Sequence, residues 1–451
     1  MALSKEIIDR TLGTPHGEQG YRVCEVLLDA GFQAWWVGGC VRDMFLEEIP
    51  DDIDIATSAH PDQISALFEK FDDTAAALGA IVVSLQGHTF EITTYRKEHE
   101  LSNGRFPESV KFTDREHDAS RRDITINALY WNPISSEIFD PYEGEKDLSE
   151  KLVRIIGDPN IRLQHDALRL LRVIRFRSLI EGQYHPDTFK ALHENAKLIS
   201  VLSGERRLRE IEKILLGPHP EIAFEDLWET DVIEHLLPEL HACKGVAQPS
   251  KAHNEGDVWD HTMQVIGSFT DDHGADTRWA ALLHDIGKPV TFSIDSERIK
   301  FNEHATRGGE IAKTVLGSLQ FPASRRDKIC WLIEHHMMMG TFGSIDESRK
   351  HHWYYHPWFI ELLQVFWLDI AGTTPSVFDL YESIIKDYNA FLDANPRPQK
   401  SLLSGDEVMV ELGIQPGEKV GNILRALYEA QNKKEISTKK EALEFIGKID
   451  I

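Results

Sequence analysis

Cysteine is scarce in this chain: Cys24, Cys40, Cys243 and Cys330 are the only four in 451 residues. They form no Cys-x-x-Cys motif and read as buried thiols of a reducing cytoplasm. No apolar run approaches the roughly 18 residues that a transmembrane helix needs, so no membrane partner is expected. The segment Met1-Ala2-Leu3-Ser4-Lys5-Glu6 lacks the basic-then-apolar pattern of a secretory signal. A cytoplasmic protein is the resulting expectation. Positive charge is also in short supply, with 49 Lys and Arg against 74 Asp and Glu and a formal net charge of −25. That balance argues against indiscriminate nucleic-acid binding, which depends on neutralising phosphates. There is no internal repeat and no low-complexity segment.

What basic charge exists is concentrated. Arg154, Arg162, Arg169, Arg172, Arg175 and Arg177 face only Asp158 and Asp166 in the same stretch, and Arg206, Arg207 and Arg209 follow. An acidic body with one basic stripe admits nucleic acid at one place only. The length implies several domains, because single cores rarely grow beyond roughly 250–300 residues. Up to about residue 150 the pattern is mixed α/β. A helix is expected near 18–30, strands at Ala34–Val37 and Ile53–Thr57, and a hairpin around Gln86-Gly87-His88. After Gly157-Asp158-Pro159 helices take over, the first expected to run unbroken from Pro159 through Phe176 with Asp158 as its N-cap. Asn395-Pro396-Arg397-Pro398 reads as a linker to a small helical tail punctuated by Gly405, Gly413, Gly417 and Gly421.

Two metal-binding patterns stand out. The first is Gly38-Gly39-Cys40-Val41-Arg42-Asp43 followed by Asp52-Ile53-Asp54. Glycines without Cβ let the backbone approach a phosphate, and the helix that starts there offers free N–H groups. Arg42 adds a charge-assisted contact. Carboxylates two residues apart on a strand share a face, where they can hold Mg²⁺ that bridges a nucleotide's phosphates. Arg121-Arg122-Asp123 precedes an apolar helical pattern, and its polar end suits ribose and phosphates. Asp140-Pro141-Tyr142-Glu143-Gly144 reads as a structural turn. In the basic stripe, Asp166, Arg169 and Arg172 recur three residues apart, on one side of a helix. The ordinary meaning of such spacing is a salt-bridged surface. A sharper meaning follows from hydrogen-bond complementarity: Asp only accepts and Arg only donates. Together they match the amino donor and ring acceptor of cytosine or adenine, and mismatch uracil and guanine.

The second pattern is His261, His284-Asp285, His304, His335 and Asp369. Imidazoles with carboxylates suit a softer transition metal and hydrolysis. One histidine alone is more often a hydrogen-bonded structural group than a ligand. The ordered set carries the signal.

With these motifs in order, residues 35–215 resemble the head and neck of the class II tRNA nucleotidyltransferases, the CCA-adding enzymes, and of the related bacterial poly(A) polymerases. The shared motifs are Gly-Gly-x-Val-Arg-Asp, Asp-x-Asp, Arg-Arg-Asp-x-x-x-Asn-Ala and Asp-x-x-Arg-x-x-Arg, followed by the neck-like Ser203-Gly204-Glu205-Arg206-Arg207-Leu208-Arg209-Glu210. The resemblance implies Mg²⁺ on Asp52 and Asp54, with Gly38, Gly39, Arg42, Arg122 and Asp123 binding the nucleotide. It implies base reading by Asp166 and Arg169, supported by Arg172 and Arg175. Where the family usually has Glu before that Asp, this chain has His165, which puts the orientation of Arg169 in question. The histidine set is similar to the HD phosphohydrolases, with His304 and His335 at the positions that complete a two-metal centre holding Ni²⁺, Mn²⁺, Co²⁺ or Fe. His253, His336, His351, His352 and His356 fall outside that pattern and are expected at the surface or in supporting places.

The expected fold is α+β: a nucleotidyltransferase head (1–150), then an all-helical neck (151–220), HD domain (221–390) and tail (391–451). The implied activity is addition or repair of the tRNA 3′ CCA from CTP and ATP, with no obligate protein partner. Rival readings are a poly(A) polymerase, a CC-only or A-only enzyme, and an HD phosphohydrolase whose head only binds tRNA. The acidic tail speaks against the first. The Lys97–Glu116 loop leaves the second open. Intact Asp52, Asp54 and Arg122 speak against the third.

Overall fold

The apolar, partly aromatic run Ala34-Trp35-Trp36-Val37 forms β1 (Ala34–Val37), buried along its whole length. It is central to a seven-stranded sheet in a computed structural model that describes residues 3–98, 110–249, 256–296, 298–395, 401–432 and 435–448. The other strands are β2 (Asp54–Thr57), β3 (Phe71–Asp72), β4 (Ala80–Leu85), β5 (His88–Thr94), β8 (Tyr130–Trp131) and β9 (Ile138–Phe139), in the order β3-β4-β5-β2-β1-β8-β9. Strands β6 (Arg96–Glu98) and β7 (Val110–Phe112) pair separately. The β4–β5 hairpin turns at Gln86 and Gly87, both at positive φ, as a tight two-residue hairpin loop requires.

Two pairings position the chemistry. β1 and β2 are antiparallel with Trp36 opposite Ile55, so the end of β1, where Gly38 follows, meets the start of β2 at Asp54. β2 and β5 are parallel with Asp54 opposite Glu91. Trp36 packs edge-on against Trp131 at 5.1 Å, which fixes β8 beside β1. Trp35, Val37, Ala56, Tyr95, Ala119 and Tyr130 form a buried cluster.

The first compact unit spans Met1–His241 and the second Ala242–Ile451. The first therefore runs past residue 220, where the sequence reading ends the neck. The expected long helix is two. Asp158 caps a helix Pro159–His165, Asp166 is extended (φ −146°, ψ 103°), and a second helix runs Leu168–Leu179. The break is held by one local and one tertiary bond: Asp166 Oδ1 accepts from Leu168 N at 3.2 Å and from Arg206 at 2.9 Å. Asp166 thus precedes the arginine helix and is not part of its face. Nor is the region after residue 150 wholly helical. Short pairs β10 (Leu152–Val153) with β11 (Gln183–Tyr184), and β12 (Phe292–Asp295) with β13 (Arg298–Phe301), interrupt it.

In the second unit, helices Val258–Gly267, Ala275–Leu283 and Phe359–Ala371 meet through Val265, Ala281 and Leu368. Tail helices Gly405–Leu412, Glu418–Asn432 and Lys439–Ile446 enclose their own cluster around Val408, Leu427 and Ile446. Pro396, Arg397 and Pro398 of the expected linker lie outside the described residues, as does His253. All four cysteines are buried and free. No described helix is long and apolar enough to cross a membrane.

Candidate functional site

In the first unit a cavity of about 520 Å³ is lined by Gly38, Gly39, Arg42, Asp52, Asp54, Arg122, Asp123, Asp166, Arg169, Arg172 and Arg175. Every residue given an expected Mg²⁺-, nucleotide- or base-binding role in the head and neck therefore lines one space. Its floor is the glycine turn. Gly38 has φ 78° and ψ −126° and begins the helix Gly39–Phe45. A Cβ at Gly38 would be strained by that φ and would stand 3.3 Å from a terminal nitrogen of Arg122. Arg42 donates to Asn127 Oδ1 at 2.7 Å and to Asp43 Oδ1 at 2.6 Å, so its guanidinium is fixed beside the turn.

The acidic wall holds Asp52, in the bend before β2, and Asp54, the first residue of that strand. Limited solvation in the cleft pushes the Asp54 carboxyl up to about 6, and repulsion from Glu91 and Asp52 adds to this against the pull of Arg122. Carboxylates crowded in this way fit a divalent cation, which would relieve the repulsion. Glu91 carries no sequence signal; only the parallel β2–β5 register brings it opposite Asp54.

The basic wall is braced from behind. Asp123 is buried. It accepts from Arg172 Nε at 2.8 Å, Ile124 N at 2.9 Å and Asn127 Nδ2 at 3.2 Å. Burial would raise its pKa, but Arg172 and these donors outweigh burial and hold it well below the usual carboxylate range. Arg175 donates to Glu210 Oε2 at 3.1 Å. Phe176 lies under Arg42, Arg172 and Arg175 at 5.1, 5.5 and 4.3 Å, an aromatic face that gathers three cations. Arg169 donates to the main-chain oxygens of Arg162 at 2.8 Å and Arg121 at 3.3 Å. Two backbone carbonyls thus help to orient it.

The second unit gathers a separate set. His261 Nε2 lies 3.2 Å from His284 Nε2 and 3.1 Å from Asp369 Oδ1. His284 Nε2 lies 3.2 Å from Asp285 Oδ2. His304 Nε2 lies 3.3 Å from His336 Nε2 and 3.5 Å from Asp285 Oδ1. Two donor groups result, His261–His284–Asp285 and Asp285–His304–His336. Each imidazole has its Nδ1 on a main-chain oxygen: His261 on Gly372 (3.1 Å), His284 on Ala281 (2.7 Å), His304 on Phe301 (2.9 Å) and His336 on Ile333 (2.7 Å). Those bonds occupy the Nδ1 side of each ring and turn four Nε2 atoms inward, the arrangement metal-binding histidines use. The donor set fits divalent cations.

His335 is not brought there, which corrects the sequence assignment. Its Nδ1 meets the Trp331 oxygen at 2.8 Å and its ring stacks on Trp331 at 4.4 Å. The next residue, His336, takes the place because the chain changes from the helix Ala323–His335 to a 3₁₀ turn at His336. Burial, reinforced by His284, lowers the His336 pKa to about 4, so it is neutral and free to ligate. Burial opposes charge on His284, yet Asp285 and Asp369 outweigh it and raise its pKa. Lys288 reaches Asp285 Oδ2 at 2.6 Å, a cation that sequence reasoning passed over.

Comparison with known proteins matches residues 34–154 to the poly A polymerase head domain. Residues 183–244 match a probable RNA and SrmB-binding site of polymerase A, and residues 258–369 match the HD domain. A CCA-adding enzyme of Bacillus subtilis is 39% identical over 51% of this chain and 58% of its own length. One of Bacillus licheniformis is 40% identical over 52% and 61%. The chain thus spans less than two thirds of the length of these curated relatives. The crystal structure of Bacillus stearothermophilus CCA-adding enzyme in complex with CTP aligns over 96% of this chain and 97% of its own, with a TM-score of 0.70 and 24% identity. Thermotoga maritima CCA-adding enzyme complexed with tRNA aligns over 99% and 98%, with a TM-score of 0.57 and 19% identity. At those identities the likeness is one of fold. The chain matches, in order, the poly A polymerase head domain, a polymerase A RNA-binding segment and the HD domain, and over about half its length it is similar in sequence to the CCA-adding enzymes.

Proposed function

We propose that this protein is a cytoplasmic nucleotidyltransferase that adds or repairs the 3′-terminal CCA of tRNA, using CTP and ATP. The observation that carries the proposal is the single cavity in which the glycine turn, Asp52 and Asp54, the arginine wall and Asp166 meet. The triphosphate would lie over Gly38 and Gly39, whose missing Cβ atoms permit close approach, with Arg42 and Arg122 against its oxygens. Mg²⁺ held by Asp52 and Asp54 would activate the tRNA 3′-hydroxyl and neutralise charge on the departing pyrophosphate. Asp166 would accept from the base amino group and Arg169 would donate to the ring nitrogen, an order that cytosine and adenine share. Arg172, braced by Asp123, and Arg175, braced by Glu210, would support that pair and the phosphates. The names of the curated relatives support this reading. So do the similar structures of CCA-adding enzymes, which are complexes with CTP, ATP and tRNA.

The test is nucleotide addition to three tRNAs lacking A, CA and CCA. The proposal expects each to be completed to CCA and no further. Continued adenylation would favour a poly(A) polymerase, and arrest after CC or failure on the longer gaps would favour a CC-only or A-only enzyme. No incorporation on any of the three would overturn the reading.

The inward-facing imidazoles favour a second activity in the other unit, a metal-dependent phosphohydrolase. Nitrogen-rich donors suit Ni²⁺, Mn²⁺, Co²⁺ or Fe better than Mg²⁺. His261, His284, Asp285 and Asp369 would hold one ion. Asp285, His304 and His336 would hold another. The substrate would be a phosphate ester such as a 2′,3′-cyclic phosphate. Hydrolysis of 2′,3′-cyclic AMP across a metal panel tests it, with His284→Ala expected to abolish hydrolysis and spare CTP addition. Silence with every metal would refute the activity.

A further inference from the structure

Behind the arginine wall sits a carboxylate that none of the motifs contains. Asp118, on the short helix Arg115–Ser120, is fully buried. Its Oδ1 accepts from Arg121 Nε at 2.8 Å. Its Oδ2 accepts from the Tyr130 hydroxyl at 2.7 Å and from Arg122 at 3.4 Å. The Tyr130 oxygen accepts in turn from Arg122 Nε at 3.0 Å. One edge of the Arg122 guanidinium is therefore gripped by two oxygens that are bonded to each other. The opposite nitrogen lies over the glycine turn, near Gly38, where it donates a long bond to the Asn127 main-chain oxygen at 3.5 Å. Burial would raise the Asp118 pKa, but Arg121 and Arg122 outweigh it and keep it lowered, so the group stays a carboxylate. Burial also raises the Tyr130 pKa, which keeps the hydroxyl a donor.

We propose that Asp118 and Tyr130 are positioning residues that aim Arg122 at the triphosphate. The proposal rests on the nucleotidyltransferase reading and goes beyond its motif residues. An arginine side chain has many rotamers, and each constraint removes freedom that nucleotide binding would otherwise have to remove. Charge reinforces geometry. Asp118 cancels one of two neighbouring guanidinium charges, so the pair does not splay apart by repulsion, and one net positive charge is left for the phosphates. Because CTP and ATP carry the same triphosphate, loss of this brace must weaken both equally. A defect in base reading would instead change their ranking against UTP.

Tyr130→Phe in the full chain is the test, since it removes one oxygen and keeps the buried ring; Asp118→Asn repeats it by removing charge at constant shape. KM for CTP and for ATP should rise together by about tenfold, the scale of one lost hydrogen bond to a charged group. KM for tRNA and discrimination against UTP should hold. A folded Tyr130→Phe enzyme with unchanged nucleotide KM would overturn the proposal, as would unequal effects on CTP and ATP or a parallel rise in the tRNA KM. Should Asp118→Asn fail to fold, Tyr130→Phe alone decides. Failure of the unmodified protein to incorporate any nucleotide would overturn the functional reading itself, a result separable from all of these.

Discussion

Alanine at position 336 or at position 335 should have opposite consequences for metal content, though the two histidines are neighbours. His336 Nε2 stands 3.3 Å from His304 Nε2, beside Asp285, and its Nδ1 is committed to the Ile333 oxygen. Two inward Nε2 atoms at that separation, both unprotonated, repel until a cation lies between them. Removing His336 takes one of three protein donors from that group. Loss of a mere supporting contact to a ligand costs roughly 10–100-fold in metal affinity. Loss of the ligand itself should cost at least about 100-fold, or about 2.8 kcal/mol at 1.4 kcal/mol per decade. With the pKa of His336 lowered to about 4, protons do not compete at neutral pH, so the loss should be constant from pH 6 to 8. Equilibrium dialysis against Ni²⁺, read by elemental analysis, should give one ion per chain fewer in His336→Ala than in the unmodified protein, and no change in His335→Ala. The reasoning fails if His335→Ala loses an ion and His336→Ala loses none.

Four further outcomes are expected. Asp52→Ala and Asp54→Ala should abolish CTP incorporation, each costing several kcal/mol of transition-state stabilisation, while tRNA affinity by filter binding stays within about twofold; near-normal turnover would remove the carboxylate site. Because the Asp54 pKa lies near 6 in the metal-free cleft, a proton must leave before a metal can bind below that pH. Mn²⁺ affinity at the head should therefore fall by roughly tenfold per pH unit below 6, and a flat titration from pH 5 to 7 would contradict it. Asp123 and Arg172 should show a coupling of about 1–2 kcal/mol in a double-mutant cycle of urea unfolding, the middle of the range for contacting residues because the arginine is partly exposed. Since the Asp123 pKa is depressed, that stability is present above the unfolded carboxylate value and lost as pH falls through the folded one; coupling below about 0.5 kcal/mol at pH 7 would refute it. Arg169→Ala should erode discrimination against UTP and GTP by about 1–3 kcal/mol, and an unchanged ranking of the four nucleotides would exclude base reading by this helix.

The head was legible in the sequence because its signals are local. The Gly38-Gly39 turn, Asp52 to Asp54 and Arg121 to Asp123 are each short segments that the β1–β2 antiparallel pairing needs only to bring together. What escaped were residues whose roles depend on distant pairing. Glu91 reaches Asp54 only through the β2–β5 register, and Tyr130 reaches Asp118 only because β8 lies beside β1. The break at Asp166 carries no glycine or proline. Arg206, from a separate helix, stabilises it, so helical periodicity continued across it unopposed. In the second unit, His335 and His336 differ by one step of helix rotation, and spacing along the chain cannot choose between adjacent imidazoles when the helix tightens at that residue.

The bonds from Arg169 to the carbonyls of Arg121 and Arg162 have a bearing on fidelity under the proposed base-reading role. A guanidinium already satisfied by its own backbone has an internal competitor, and an incoming base must displace it. Cytosine and adenine offer a ring acceptor in exchange, so the trade is close to even and small gains elsewhere decide it. Uracil and guanine present an N–H to the same donor. They would strip Arg169 of two acceptors and return none, which costs roughly 1–3 kcal/mol for each donor left unpaired. The pocket would then reject the wrong base before any step of phosphoryl chemistry, by remaining closed on itself.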